Sequence, residues 1–269
     1  MVYKKLKLTY PEVLQGYSCH NHSSWSDGSG ELADIARKGK AMGLKVLGIS
    51  DHWVKPPFPG TDADSWSMDL SRTAEYVKTL QQLKDELNDE NFQLLTGLEV
   101  DVFPENIDEV IAELQEFELD YLIGSVHYSG IFAIDYSAET WKPLSAKDID
   151  DYCNIYYDKL EVAASRKEFA FIGHLDLPKK FGLIDNEKYF ERAVRVLDIL
   201  KSSGGAIEVN TAGLYKECAE QYPAMEILRQ ANLRQIPVIV NADAHCPDHL
   251  MRGFDEAYKI LQQAGYKTV

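Results

Sequence analysis

Side chains that could bind metal ions recur at six places along this chain of 269 residues, and each place follows a short apolar run that predicts a β-strand. Six of the seven histidines belong to these clusters, so histidine is concentrated rather than scattered. The clusters are His20 and His22 with Asp27 beyond them, Asp51 with His52, Glu99, His127, His174, and Asp243 with His245. Imidazoles and carboxylates that arrive from successive strand ends are what a hydrolytic centre with several metal ions requires.

Each cluster taken alone also has an ordinary explanation. Asp51 could cap the loop that follows it, and a single His127 or His174 is more commonly a hydrogen-bonded side chain than a ligand. His20 and His22, however, are two residues apart in a segment predicted to be extended, so both side chains point to the same face. Six clusters at six predicted strand ends are difficult to explain independently, and together they predict a metal centre. His249 lies outside any predicted strand, and we expect it to be exposed.

The elements that position these residues alternate regularly between strand and helix. Strands are expected at Gly16–Cys19, Val46–Ser50, Phe92–Leu98, Tyr121–Val126, Phe169–Ile172, Ala206–Val209 and Ile236–Val240. Helices are expected at about Glu31–Met42, Leu70–Leu87, Ile107–Phe117, Asp148–Arg166, Tyr189–Leu200, Met225–Gln230 and Phe254–Gln263. Seven such units without a low-complexity linker predict one α/β domain over residues 1–269, built as a closed or nearly closed parallel barrel. In such barrels, side chains at the carboxyl ends of the strands converge on the active site.

Composition limits the classes of protein that fit. The apolar fraction of 45% is sufficient for a large core, and no stretch approaches the roughly 20 apolar residues of a membrane span. The start of the chain lacks the features of a signal peptide, and the four cysteines have no paired spacing, so we expect reduced thiols and a cytoplasmic location. A formal charge of −15 disfavours nucleic acids and anionic membranes as partners, but a small phosphorylated substrate remains compatible with it.

The motifs resemble those of the PHP superfamily of phosphoesterases, named for polymerase and histidinol phosphatase, and the resemblance extends over nearly the whole chain. The matching segments are Cys19-His-Asn-His22 with Asp27-Gly, Ile49-Ser-Asp-His52, Gly97-Leu-Glu99, Gly124-Ser-Val-His127, Gly173-His-Leu-Asp176 and Ala242-Asp-Ala-His245. The resemblance implies a distorted seven-stranded, TIM-like (β/α)7 barrel of PHP type. It also implies a cofactor of three divalent transition metals, for which zinc, iron and manganese are equally suitable.

The resemblance also implies a distribution of the ligands over three metals. The first set is His20, His22, Glu99 and Asp243; Glu99 bridges to a second metal with His127 and His174; the third set is Asp27, His52 and His245. Asp243, His245 and Asp51 are the predicted catalytic residues, with Asp51 and Asp176 better suited to orienting ligands than to binding metal. Lys180, Lys216 and Asn210 are the predicted substrate-binding residues. The segment from Trp53 to Asp69 is expected to be a long loop, and its part from Trp53 to Trp66 is expected to close over the ligand.

Three segments carry a finer similarity to histidinol-phosphate phosphatases: Ile123-Gly-Ser-Val-His127, Gly173 to Gly182, and Glu208 to Leu214. They imply hydrolysis of L-histidinol phosphate to L-histidinol and phosphate by a metal-bridging hydroxide. An arginine that several relatives carry near Asn210 and Thr211 is absent here, which leaves open a PHP phosphatase for a nucleotide or another small phosphoester. A more remote alternative is an amidohydrolase-type barrel that cleaves C–N bonds. A regulatory module without activity is the non-enzymatic alternative, which the complete ligand set disfavours.

Overall fold

Seven parallel strands form a barrel in the computed structural model, which describes residues 6–269. Met1 to Lys5, where the signal-peptide expectation falls, lie outside the described residues. The barrel strands are β1 (Tyr17–Ser18), β2 (Val46–Ile49), β3 (Gln93–Asp101), β4 (Tyr121–Ser125), β5 (Phe171–Ile172), β6 (Ile207–Asn210) and β7 (Val238–Asn241). Each strand pairs in parallel with the next one in the chain, so spatial order follows sequence order.

A helix follows each strand and covers the outside of the barrel. These helices are α1 (Leu32–Ala41), α2 (Thr73–Leu87), α3 (Ile107–Leu114), α4 (Ala146–Ser165), α5 (Phe190–Ser203), α6 (Met225–Leu233) and α7 (Phe254–Gln263). Apolar spacing decides which face each helix buries: in α7 the buried residues Phe254, Ala257, Ile260 and Leu261 recur at intervals of three and four. The start of α4 is fixed by a capping box, in which Ser145 and Asp148 satisfy each other's backbone N–H groups.

The first and last strands meet just beyond their ends, so the barrel is nearly closed. Asn21 and Ala244 form a parallel bridge, and the N–H of His22 donates to the carbonyl of Ala244 at 2.8 Å. This arrangement confirms the predicted (β/α)7 barrel. Among the strands, the boundaries differ most at β3, which continues through Glu99 to Asp101. It does so because a second pairing segment, His52–Trp53, lies beside Glu99 and Val100.

One tyrosine fills the barrel interior from β4. Tyr121 is fully buried and its hydroxyl donates to the carbonyl of Cys19 at 2.8 Å, on the opposite side of the barrel. A Cβ at Gly48 would lie 2.1 Å from the Tyr121 hydroxyl oxygen, and a Cβ at Gly97 would lie 2.2 Å from the Tyr121 ring. Both strands therefore need glycine to let the ring cross the barrel, and the metal-capable residues lie beyond this layer of packing.

The connections after β2 and β4 are the long ones, and they lie beside each other. Within the expected 53–69 loop, Val54 and Ala63 pack with Phe103 and Tyr128 in a small buried cluster. The hairpin Tyr128–Ser129 with Phe132–Ala133 belongs to the second connection. None of the helices in residues 6–269 is long and apolar enough to cross a membrane.

Candidate metal centre

Glu99 lies at the centre of the site, where its carboxylate approaches five histidines. One oxygen, Oε2, is 2.8 Å from Nδ1 of His52, 3.1 Å from Nε2 of His20 and 3.5 Å from Nε2 of His22. The other oxygen, Oε1, is 2.9 Å from Nε2 of His174 and 3.6 Å from Nε2 of His127. The side chain of Glu99 is only 1% exposed. The five histidines come from four separate strand ends, those of β1, β2, β4 and β5, and meet at one carboxylate, as a bridging ligand would require.

The remaining predicted ligands surround this carboxylate. Oδ1 of Asp243 is 3.1 Å from Nε2 of His22, and Oδ2 of Asp27 is 3.1 Å from Nε2 of His245. Four groups have ligand atoms within 4.8 Å of one another: His22, Asp27, His52 and His245; His20, His22 and Asp243; His20, Glu99 and His174; and His52, Glu99 and His127. All nine predicted metal ligands occur in these groups. The four groups do not coincide with the three predicted sets, because His127 and His174 fall in different groups, and the division over three metals stays a prediction.

Several of the potential ligand atoms lie close together without hydrogen-bonding to one another, as expected of atoms that bind metal ions. His20 Nε2, His52 Nδ1 and Glu99 Oε2 are buried within 3.1 Å of a partner, yet none makes a hydrogen bond of acceptable geometry in the described part of the chain. Buried polar atoms without partners are costly, and native proteins rarely contain several in one place. A divalent cation would satisfy these atoms, and imidazole with carboxylate is a donor set suited to zinc, iron or manganese.

The site holds its carboxylates ionised. Burial alone would raise the pKa of Glu99, but the surrounding imidazoles, led by His20, hold it well below its usual range. Burial, together with neighbouring imidazoles, lowers the pKa of His22 to about 4. Burial lowers the pKa of His127 and His245, but the carboxylates around each ring together outweigh it. Glu99 with Asp101 and Asp135 raises the pKa of His127 to about 10, and Asp27 with Asp243 raises that of His245 to about 9. The anionic groups that attract cations therefore persist across the neutral pH range.

Glu208, the second residue of β6, is a functional residue that the sequence does not predict, and it connects three parts of the site. Its two oxygens lie 3.1 and 3.0 Å from Nδ1 of His20, and Oε1 accepts the backbone N–H of His174 at 2.8 Å. Asn210 and Asn241 also donate to it, at 3.0 and 2.9 Å. This fully buried carboxylate orients His20 so that Nε2 faces Glu99. An acidic residue inside the apolar run Ala-Ile-Glu-Val was the signal that could have revealed it.

Asp101 has a similar relation to His127, although its place in the sequence does not distinguish it from a surface carboxylate. It is instead 2% exposed; Oδ1 accepts the backbone N–H of His127 at 3.1 Å, and Oδ2 is 3.4 Å from the ring nitrogen Nδ1.

The backbone of Asp243 has a positive φ of +50°, which is uncommon outside glycine and is tolerated best by Asp and Asn. Backbone strain of this kind concentrates at functional sites, and here it directs Asp243 towards His22.

Two predicted residues lie in other positions than expected. Asp51 is fully buried and its oxygens accept hydrogen bonds from the backbone and hydroxyl of Ser23 and from the hydroxyl of Ser26, at 2.6 to 2.7 Å. It therefore fixes the turn that carries Asp27 and does not border the cavity, which argues against the catalytic role predicted for it. Asp176 contacts Lys179, Asn186 and the N–H of Ala224 rather than the ring of a ligand histidine.

A cavity of about 560 Å³ opens above the metal-capable residues, and His52, His127, His174, Asp243 and His245 line its floor. Of the predicted substrate-binding residues, Lys180 and Lys216 border it. Asn210 does not border it, because it is fully buried and donates to Asp243 at 3.1 Å. Asn210 therefore positions the carboxylate of Asp243 rather than contacting a ligand in the cavity.

Further residues border the cavity in ways the sequence did not predict. Nζ of Lys180 donates to the carbonyl of Asp135 at 2.7 Å and lies 3.2 Å from its carboxylate, so its charge is partly neutralised. His249, expected to be exposed, is half-buried at the rim, and Arg252 lies beside it. The 53–69 loop reaches the cavity only through its end, with Asp62, Ser65 and Trp66.

The fold and the cluster together define a class of protein: a metal-dependent α/β-barrel hydrolase. The model of the PHP domain family matches residues 18–212, and the chain belongs to that family. It is 35% identical over 241 residues to a probable histidinol-phosphatase of Deinococcus radiodurans, with 90% of each chain covered.

Two solved structures share the fold. A putative histidinol phosphatase from Listeria monocytogenes superposes with a TM-score of 0.80 at 22% identity, covering 89% of this chain and 99% of that one. Histidinol phosphate phosphatase from Lactococcus lactis, solved with zinc, L-histidinol and phosphate, superposes with a TM-score of 0.79 at 20% identity, covering 95% and 96%. These likenesses agree with the seven-stranded barrel described above.

Proposed function

We propose that this protein is a metal-dependent phosphomonoesterase whose substrate is L-histidinol phosphate, which it hydrolyses to L-histidinol and phosphate. The observation that carries the proposal is the convergence of five histidines on Glu99 beneath a cavity bordered by cationic side chains. The 35% identity to a probable histidinol-phosphatase, over nine-tenths of both chains, supports the choice of substrate. The residues His20, His22, Asp27, His52, Glu99, His127, His174, Asp243 and His245 would hold the metals.

Phosphomonoester hydrolysis needs an activated water, neutralisation of phosphoryl charge and a leaving group kept in line. Bound divalent ions would supply the first two by lowering the pKa of water and by attracting the phosphoryl oxygens. The protein groups position the reaction: Glu208 orients His20, Asp101 orients His127, and Asn210 fixes Asp243. Trp66 packs edge-on at 4.7 Å from His52 and closes one wall of the cavity, which limits access of bulk water.

The amidohydrolase alternative is disfavoured by the position of Glu99. Glu99 contributes a ligand atom to two of the metal-capable groups, so a carboxylate already lies between them. The nearest lysine in sequence to His174, Lys179, is already bound to Asp176, Glu220 and the carbonyl of Gln221. A carbamylated lysine therefore has no place as the bridge, and a carboxylate takes that position.

A substrate panel tests the proposal. Purified protein loaded with zinc, manganese or ferrous iron is assayed on histidinol phosphate, a set of nucleotides and sugar phosphates, p-nitrophenyl phosphate and an amide series. We expect the highest kcat/KM on histidinol phosphate and no turnover of amides. Faster hydrolysis of a nucleotide would support the alternative PHP phosphatase, and amide turnover without phosphatase activity would overturn the reaction class.

The proposal extends to the domain organisation of the enzyme, its location in the cell and its partners. One PHP phosphoesterase domain would span residues 1–269, because the helices and strands of residues 6–269 surround one barrel. A cytoplasmic location is supported by four free cysteines, among them the buried Cys19 and Cys153. The net charge of −15 supports a small-molecule partner rather than a nucleic acid or a membrane.

A further inference from the structure

Arg252 differs from the other seven arginines of the chain, all of which lie in the described range. Each of those seven forms an ion pair with a carboxylate: Arg37, Arg72, Arg166, Arg192, Arg195, Arg229 and Arg234. Arg252 forms none with any residue from 6 to 269, and its Nε is buried without a hydrogen-bond partner. In a chain with 43 acidic and 28 basic residues, an arginine without a carboxylate needs a specific explanation.

The surroundings of Arg252 hold its side chain in place without cancelling its charge. Its carbonyl accepts the hydroxyl of Thr211 at 2.6 Å, which ties the loop after β7 to the segment after β6. The guanidinium lies 4.1 Å from the ring centroid of Tyr215, a cation–π contact that does not itself use the N–H groups. Nη1 is 3.4 Å from Nε2 of His249, whose pKa is lowered by burial and by Arg252 itself.

The guanidinium borders the cavity whose floor contains Asp243 and His245. The two lysines on the same rim are less suited to bind a dianion there. Lys180 is engaged by Asp135, and Lys216 is exposed and offers a single point charge. Arginine instead presents a planar fork that can donate two parallel hydrogen bonds to a phosphate.

We propose that Arg252 binds the phosphoryl oxygens of the substrate and makes the site selective for phosphomonoester dianions over diesters. The inference rests on the proposed function, which it deepens by assigning the phosphate-reading residue. Through Thr211 and Tyr215, Arg252 contacts the segment after β6, so a residue of the loop after β7 brings its positive charge beside that segment.

Two substitutions and a matched control test the proposal on the metal-loaded enzyme. Arg252→Met removes the charge, Arg252→Lys keeps the charge without the fork, and Arg229→Met removes an exposed arginine on α6 that is paired with Glu226. The readouts are inorganic phosphate binding by calorimetry, kcat and KM for histidinol phosphate, hydrolysis of bis(p-nitrophenyl) phosphate, and metal content.

We expect Arg252→Met to weaken phosphate binding and raise KM roughly 10- to 100-fold, with metal content unchanged. Arg252→Lys should recover part of the loss, diester hydrolysis should change little, and Arg229→Met should match the wild type. Phosphate affinity equal to wild type in a folded, metal-replete Arg252→Met enzyme would overturn the proposal, as would equal losses for the monoester and the diester.

Phosphate binding separates this proposal from the choice of substrate. If the wild type prefers another phosphomonoester, the calorimetry still decides whether Arg252 reads phosphate, because inorganic phosphate lacks the organic part. If Arg252→Met proves unstable, Arg252→Lys decides alone: full wild-type phosphate affinity would reject the need for a fork, and a weakened affinity at unchanged melting temperature would support it.

Discussion

A carboxylate that approaches five imidazoles cannot become an amide without changing the charge of the whole cluster. Glu99→Gln removes the negative charge, and an amide nitrogen cannot replace the second ligating oxygen. Asp176→Asn, by comparison, alters contacts with Lys179, Asn186 and a backbone N–H. We expect Glu99→Gln to lower kcat/KM by more than about 100-fold and Asp176→Asn by about 10-fold or less. The reverse order in steady-state kinetics would show that the bridging role is misassigned.

Glu208→Gln tests the orienting contacts around His20. The amide keeps the shape of the side chain, but it loses the charge that faces Nδ1 of His20 at 3.0 Å. We expect metal affinity to fall about 10- to 100-fold, measured by competition with a chelator of known affinity. Glu226→Gln on the exposed surface of α6 is the matched control and should leave affinity unchanged. Equal affinities for both variants would mean that the packing around His20, rather than Glu208, sets its orientation.

The sequence predicts ligands more easily than the residues that orient them. His20, Glu99 and Asp243 stand out because their types and strand-end positions recur. The contacts of Glu208 with His20 span 188 residues, and those of Lys180 with Asp135 span 45, so local spacing contains no sign of either partner. Such pairs become visible only when the barrel brings distant strand ends together.

At the level of elements, the order of strands and helices was predictable because apolar runs alternate with amphipathic stretches. The prediction was less accurate where tertiary contacts set the boundaries. β3 extends to Asp101 because His52–Trp53 pairs with it, a contact that the periodicity of either segment does not indicate. The short strand β5, Phe171–Ile172, is likewise two residues shorter at its start than the apolar run that predicts it.

Trp66, near the end of the 53–69 loop, forms one wall of the cavity, and its contribution to substrate binding can be tested. Trp66 lies edge-on to His52 at 4.7 Å and donates from Nε1 to the hydroxyl of Tyr128 at 3.0 Å; that hydroxyl in turn donates to Asp62 at 2.5 Å. Trp66→Ala should remove this wall of the cavity and raise KM for histidinol phosphate about 10-fold.

Loss of the Trp66 side chain should weaken binding of the organic part of the substrate more than binding of the phosphate. We therefore expect a smaller KM change for p-nitrophenyl phosphate than for histidinol phosphate in Trp66→Ala. Trp66→Phe keeps an aromatic ring at this wall while losing the indole N–H that donates to Tyr128 and part of the ring surface; it serves as the control and should lie closer to wild type than Trp66→Ala. A parallel rise for both esters would show that the loop end does not contribute to substrate preference.

For the molecule as a whole, the excess of acidic residues and the metal centre have to be considered together. The formal charge of −15 counts Glu99, Asp27 and Asp243 as uncompensated, although the site that contains them is built to receive cations. Three divalent ions would bring about six positive charges into the barrel. The net charge counted from the sequence therefore overstates the electrostatic repulsion in the folded, metal-loaded protein. Without metal, protons on the histidines of the site supply part of the compensating positive charge.

Metal loading should release protons, and the amount released depends on pH. Without metal, carboxylate neighbours raise the pKa of His127 to about 10 and that of His245 to about 9, so both are protonated near pH 7.5. Binding requires neutral imidazoles, so affinity should fall as pH falls. Calorimetry in two buffers of different ionisation enthalpy should report proton release, with about three metal equivalents per chain by elemental analysis. One equivalent in fully active protein, or binding without proton release, would contradict this account of the centre.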